Sequence, residues 1–115
     1  KIIKEAYKAA EELEKEDISC EIIDLRTVRP MDRDAIVKSV KKTNRLVVLE
    51  EAWPFGNVST DITYLVQTEA FDYLDAPVVK INTADTPAPY SPVLLEEWLP
   101  NKDSVIKAVK KVLYK

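Results

Sequence analysis

Arg45-Leu-Val-Val-Leu-Glu-Glu-Ala-Trp-Pro-Phe-Gly-Asn-Val-Ser-Thr60 is the stretch whose reading decides the fold. Its first half, Leu46 to Leu49, is an uninterrupted apolar run and reads as a buried strand. Its second half is a turn that holds the chain's only glycine, Gly56, and leads into a helix. Strand, turn and helix in that order form the unit of open α/β sheets, whose sites lie where strands end. Glu50 to Asn57 is therefore the first loop in which to look for chemistry or recognition.

Working outward, the same alternation repeats. Downstream, a helix from Asn57 or Ser59 to about Ala70 buries Val58, Ile62, Leu65 and Val66 on one stripe. Phe71 to Asp75 is a polar-aromatic connector, and Pro77 opens a short strand over Val78 to Ile81. Upstream, Asp32 is placed as the N-cap of a helix, with Met31 and Ile36 as its hydrophobic staple. Ile36, Val37 and Val40 face inward there, and Asn44 suits a left-handed cap. Before it, Cys20 to Leu25 reads as a strand. The opening residues, Lys1 to Lys15, form an amphipathic helix with Ile2, Ala6, Ala9, Ala10 and Leu13 on its apolar face. No cap precedes that helix, as expected of a cut through a larger protein. Glu11 and Lys15 stand in the favourable i,i+4 order.

Asp85 to Pro100 breaks the pattern with Pro87, Pro89, Pro92 and Pro100, and with Tyr90 and Trp98 among them. It reads as an ordered surface loop with a candidate helical turn at Leu94 to Trp98. A last helix starts near Asn101 and turns Val105, Ile106, Val109 and Val112 inward. Its lysines, Lys107, Lys110, Lys111 and Lys115, gather toward the C-terminal half, where they suit the helix dipole. Alternating strands and helices with short links point to an α/β fold with a mostly parallel sheet. The 115 residues fit one domain spanning 1–115.

Composition narrows the function. A net charge of −3 gives no reason to expect nucleic acid or an anionic membrane as partner. No apolar run approaches the roughly 20 residues that span a bilayer, and the charged N-terminus is no secretory signal. Cys20 is the only cysteine, so no internal disulfide can form. There is no histidine, which removes a Ser-His-Asp triad, a Cys-His pair and any His-bearing zinc site. A single glycine excludes a Walker loop or a GxGxxG turn. The composition leans against a self-contained enzyme.

Each candidate site has a plain alternative. Glu50 and Glu51 could supply a general base, a metal ligand or a charged contact, or one could face solvent while the other caps the neighbouring helix. Adjacent residues on a strand point opposite ways, so the two are not a catalytic pair. Gly56 to Thr60 could hold an anion at a helix N-terminus, or simply be capped. Cys20 could be a nucleophile, but no activating group is visible and a small apolar role fits better. Tyr90, Trp98 and the prolines suit an interface, or a loop packed on its own sheet. Asp72 and Asp75 could pair with a basic partner or merely be solvated.

Five blocks, in order, go further: Glu21-Ile-Ile-Asp-Leu-Arg-Thr-Val-Arg-Pro-Met-Asp32, Lys42-Thr-Asn-Arg-Leu-Val-Val48, Glu51-Ala-Trp-Pro-Phe-Gly56, Phe71-Asp-Tyr-Leu-Asp-Ala-Pro77 and Asp85-Thr-Pro-Ala-Pro-Tyr90. Through them the chain resembles the C-terminal domain of the beta subunit of thiamine-diphosphate-dependent 2-oxo acid dehydrogenases, most of all the pyruvate dehydrogenase decarboxylase component. The resemblance covers essentially the whole chain.

It implies a three-layer α/β/α, transketolase C-terminal-like fold with a five-stranded mixed sheet. The first two family strands, the second of them central, precede the opening helix and are missing here. The strand at Ile22 is then expected either to pair directly with that at Val47 or to leave a gap filled by another chain. The resemblance further implies that thiamine diphosphate is bound by other domains of the full enzyme, and that this fragment is non-catalytic, with no catalytic, cofactor-binding or metal-ligating residue of its own. It implies assembly with an alpha subunit and a second beta subunit, and docking of the peripheral-subunit-binding domain of dihydrolipoyl acyltransferase. Asp75, the aspartate of the LDAP block, and the terminal carboxylate on Lys115 are the implied docking groups. Glu51, Trp53, Phe55 and Tyr90 are the implied subunit-interface residues. The implied location is cytoplasmic in a bacterium or the mitochondrial matrix in a eukaryote. A branched-chain 2-oxo acid or acetoin dehydrogenase, or a stand-alone α/β anion-binding module, are the competing readings.

Overall fold

A computed structural model describes residues 2–25, 32–50, 58–82 and 100–115. Helix α1 spans Ile2–Glu14, α2 Arg33–Thr43, strand β1 Val47–Leu49, α3 Val58–Glu69, a 3₁₀ turn Phe71–Tyr73, β2 Val79–Ile81 and α4 Lys102–Val112. β1 and β2 pair in parallel, with Val47 opposite Val79, Val48 opposite Lys80 and Leu49 opposite Ile81.

Alternation along β1 sorts the helices into two layers. Val48 packs with Ile36 and Val40 of α2 and with Ile62, Leu65 and Val66 of α3. Val47 and Leu49, one residue out of phase, pack with Ala9 of α1 and with Val105 and Ala108 of α4. The result is helix, sheet, helix, the expected three-layer α/β/α arrangement. Of the stripes read from periodicity, Ala9, Leu13, Ile36, Val40, Ile62, Leu65, Val66, Val105 and Val112 are buried, with Ala108 and Ser59 added, while Ala6, Ala10, Val37, Val58, Ile106 and Val109 are half-buried at their margins.

The helix ends explain how a chain with one glycine makes its turns. Asp32 caps α2 by accepting from the Ala35 N–H (3.1 Å), and Asn101 caps α4 within a capping box formed with Ser104. At the C-terminal ends, Asp17, Asn44 and Tyr114 adopt positive φ of 62°, 67° and 60°. After α1, the N–H groups of Asp17 and Ile18 reach back to the carbonyls of Glu14 and Leu13. After α4, Tyr114 and Lys115 do the same to Lys111 and Lys110. Both are Schellman closures, made here with non-glycine residues at the left-handed position.

Ion pairs tie the helices of each layer. Lys102 meets Glu12 at 2.8 Å and Lys110 meets Glu16 at 3.0 Å, across α1 and α4. The Glu12 carboxyl is held below its ordinary value chiefly by the Lys102 hydrogen bond, and the Lys102 ammonium is raised by the same bond. Arg33 meets Glu69 at 3.2 Å across α2 and α3. No ion pair closes between Glu11 and Lys15, despite their spacing.

Two expectations change. Cys20 to Leu25 is not a strand: among the described residues it finds no ladder partner. It is anchored to α2 instead, through Glu21, which accepts from the Ser39 hydroxyl and pairs with Lys42 at 3.1 Å. Those contacts hold the Glu21 carboxyl below its ordinary value, the Ser39 hydrogen bond most of all. Direct pairing of Ile22 with Val47 is also overturned. A cavity of about 820 Å³ is lined by both segments, so no ladder joins them. A strand exists only as a pairing, and apolar β-branched residues do not make one without a neighbour.

Candidate partner-docking site

The carboxyl ends of β1 and β2, where sites of open sheets are sought, are occupied from within. Parallel register sets Glu50 beside Asn82, each the first residue beyond its strand. The half-buried Glu50 carboxylate accepts from the Ser59 hydroxyl, from the Ser59 N–H (3.3 Å) and from the Asn82 amide (2.8 Å). Of the alternatives for Glu50, helix capping is the one that holds: a carboxylate sits on the positive end of α3. Within the span Gly56 to Thr60, of which Gly56 and Asn57 lie outside the described residues, the carboxylate held by the Ser59 donors is that of Glu50. Ser59 and Asn82 were not singled out from the sequence, although the parallel register foreshadows the second.

Cys20 is half-buried on the cavity wall. Burial raises its thiol above the ordinary value, the opposite of what activates a nucleophile. No group of three or more His, Cys, Asp or Glu side chains among the described residues is placed to hold a metal.

The opposite end of the sheet is built differently. Asn44, fixed at φ 67° by the close of α2, accepts the Asp75 N–H on its main-chain carbonyl (2.8 Å). Its side-chain amide donates to the Tyr73 carbonyl (2.8 Å). One residue thus fastens the 3₁₀ turn and the start of the β2 approach to the end of α2. Arg45 donates through Nε to the last carbonyl of α4, Val112 (3.0 Å), and brings its guanidinium to 3.8 Å from Asp75. The Tyr114 hydroxyl donates to the Asp75 carbonyl at 3.4 Å.

Asp75 is exposed there, with Phe71, Asp72, Tyr73 and Tyr114 also exposed and Lys41 5.2 Å from the Tyr73 ring centre. At 3.8 Å Arg45 is beyond hydrogen-bond range, so it biases the Asp75 carboxylate without filling it. Asp75 thus meets two residues that sequence reading missed, Arg45 and Tyr114, the second of them next in sequence to Lys115. No sequence signal pointed to either, because the contact joins positions about 30 to 67 residues apart. Glu51, Trp53, Phe55 and Tyr90 lie outside the described residues, as do Met31, Gly56 and the span Leu94 to Trp98.

Comparison with known proteins agrees with this architecture. The family model for the transketolase C-terminal domain matches residues 1–105. The pyruvate dehydrogenase E1 component subunit beta of Rickettsia felis is 50% identical over 112 residues, covering 97% of this chain and 34% of that protein. The acetoin:2,6-dichlorophenolindophenol oxidoreductase subunit beta of Bacillus subtilis is 41% identical over 113 residues, covering 98% of this chain and 33% of that protein. A solved structure described as a split gene transketolase, an inactive beta4 tetramer, superposes with a TM-score of 0.81 at 30% identity. It covers 96% of this chain and 34% of that one. The chain thus spans about a third of the length of the curated relatives it matches. By sequence and by fold, this chain belongs to the transketolase C-terminal domain family.

Proposed function

We infer that residues 1–115 are the C-terminal domain of the beta subunit of a pyruvate dehydrogenase, and that the domain serves assembly and partner docking rather than chemistry. The single observation that supports the docking role is the corner at Asp75, an exposed carboxylate 3.8 Å from Arg45, on a segment that also exposes Phe71 and Tyr73 and meets the exposed Tyr114. Aromatic residues around a charge are what a docking hot spot requires. The enzyme to which such a subunit belongs oxidatively decarboxylates pyruvate and acetylates a lipoyl group, with thiamine diphosphate held by other domains. Its partners are an alpha subunit, a second beta subunit and the basic peripheral-subunit-binding domain of the acyltransferase. In a bacterium it works in the cytoplasm, and in a eukaryote in the mitochondrial matrix. Among the described residues no helix is long and apolar enough to cross a membrane.

The 41% identity to an acetoin-oxidising relative keeps a second substrate assignment alive. Substrate choice belongs to the catalytic domains, so activity of the full-length enzyme on pyruvate against acetoin separates the two.

Docking is tested by titrating the acyltransferase's subunit-binding domain into the wild-type chain and into Asp75→Ala, by calorimetry. Truncating one member of an interfacial charge pair costs about 2–5 kcal/mol, so the variant should bind at least about thirtyfold more weakly. Equal affinity would remove Asp75 from the site. Thiamine diphosphate titrated into the same chain should give no heat of binding.

A further inference from the structure

Two adjacent residues beyond α2 hold the exposed acid of the docking corner by different means. Asn44 accepts the Asp75 N–H on its main-chain carbonyl at 2.8 Å, and Arg45 brings its guanidinium to 3.8 Å from the Asp75 carboxylate. The Asp75 main chain is held on its other side by the Tyr114 hydroxyl, which donates to its carbonyl at 3.4 Å. Arg45 is anchored as well. Its Nε donates to the Val112 carbonyl at the end of α4, 3.0 Å away, and its side chain is 32% exposed against 56% for Asp75. The separation of the two charges is therefore imposed by the fold.

Ion pairs that settle freely close further. Lys102 meets Glu12 at 2.8 Å, Lys110 meets Glu16 at 3.0 Å and Lys42 meets Glu21 at 3.1 Å, all within hydrogen-bond range. At 3.8 Å Arg45 makes no hydrogen bond to Asp75, so the carboxylate oxygens keep their capacity for an outside donor while a fixed positive charge stands beside them.

Granting the docking role of Asp75, on which this rests, we propose that Arg45 is an internal competitor that sets the affinity of the corner: its anchored guanidinium repels the cation that Asp75 attracts, so a basic partner is held more weakly than the acid alone would hold it. A partner cation on the open side of the carboxylate stands roughly 7 Å from Arg45. At that distance, like charges near a protein surface lower an affinity about three- to sevenfold.

The test titrates the acyltransferase's peripheral-subunit-binding domain calorimetrically into the full-length enzyme, as wild type and as four variants. Arg45→Gln removes the charge, retains an amide donor for Val112 and should bind about three- to sevenfold more tightly at low salt. At about 1 M salt, where charges are screened beyond about 3 Å, the gain should fall below about twofold. Arg45→Lys keeps the charge and should bind as wild type does. Lys107, exposed on α4 more than a helical turn before Val112, is the control for net charge, and Lys107→Gln should leave the affinity unchanged. Asp75→Ala should bind more weakly than wild type. Unchanged or weaker binding by Arg45→Gln, with Asp75→Ala weakened as expected, overturns the competition and leaves the docking site standing. A gain in Lys107→Gln or in Arg45→Lys equal to that in Arg45→Gln also overturns it, since net charge or the α4 contact would then be the cause. Asp75→Ala binding as tightly as wild type removes the docking role and the competition with it. Should Arg45→Gln fail to fold, Arg45→Met, which removes the same charge and keeps an unbranched stem, takes its place with the same expected gain.

Discussion

Glu50→Ala is the substitution whose cost can be built atom by atom. The carboxylate accepts from the Ser59 N–H, the Ser59 hydroxyl and the Asn82 amide. Losing a helix cap costs about 1 kcal/mol. The larger part comes from Ser59, which is 0% exposed. Its hydroxyl would be left with only a 3.4 Å contact from Asn82, and a stranded buried polar group costs about 1–3 kcal/mol. The sum is about 3 kcal/mol, or roughly 10–15 °C in Tm for a chain of this size. Ser59→Ala alone removes one hydrogen bond and should cost about 1 kcal/mol. In the double variant no hydroxyl remains to be stranded, so its cost should fall short of the sum of the singles by about 1–2 kcal/mol. Urea denaturation followed by far-UV circular dichroism, with m unchanged across the four proteins, measures the cycle. Costs that add to within about 0.3 kcal/mol would refute the claim that Glu50 holds Ser59.

Two further outcomes are expected. Asp17 sits at φ 62° with an exposed side chain, so Asp17→Gly relieves a left-handed residue and should stabilise the chain by about 0.5–1 kcal/mol in the same assay. Glu21 is depressed below its usual 4.5 by Ser39 and Lys42. A depressed carboxyl contributes its stabilisation fully above the unfolded value and loses it as pH falls through the folded one. Wild type and Glu21→Gln should therefore differ in urea midpoint near neutrality and converge in the acid range below that value. A difference that stays constant across that range would show that Glu21 acts by packing alone.

Which parts of this fold could be read from the residues depends on how local their causes are. The stripe Val58, Ile62, Leu65 and Val66 and the caps at Asp32 and Asn44 are properties of neighbouring residues, and they stand as expected. Cys20 to Leu25 looks equally strand-like in isolation, yet pairing is a contract with a distant segment, and none of the described residues completes it. The same divide runs through the docking corner. The residues alone offered Asp72 and Asp75 alike, and only the resemblance singled out Asp75. Arg45 and Tyr114, which shape its surroundings, owe their positions to contacts that no short window of sequence contains. Glu50 lies between these cases: the strand end was legible, and its bond to Ser59 was one of two stated alternatives.

On the docking role proposed for Asp75, Arg45 carries a consequence for how long a partner stays. Its guanidinium closes α4 at the Val112 carbonyl and screens Asp75 from 3.8 Å. An arriving cation thus meets an acid already facing a positive charge that cannot swing away without uncapping a helix. Such an arrangement shortens residence, because departure restores the internal pairing as the external one breaks. A corner of this kind suits exchange among partners more than permanent capture.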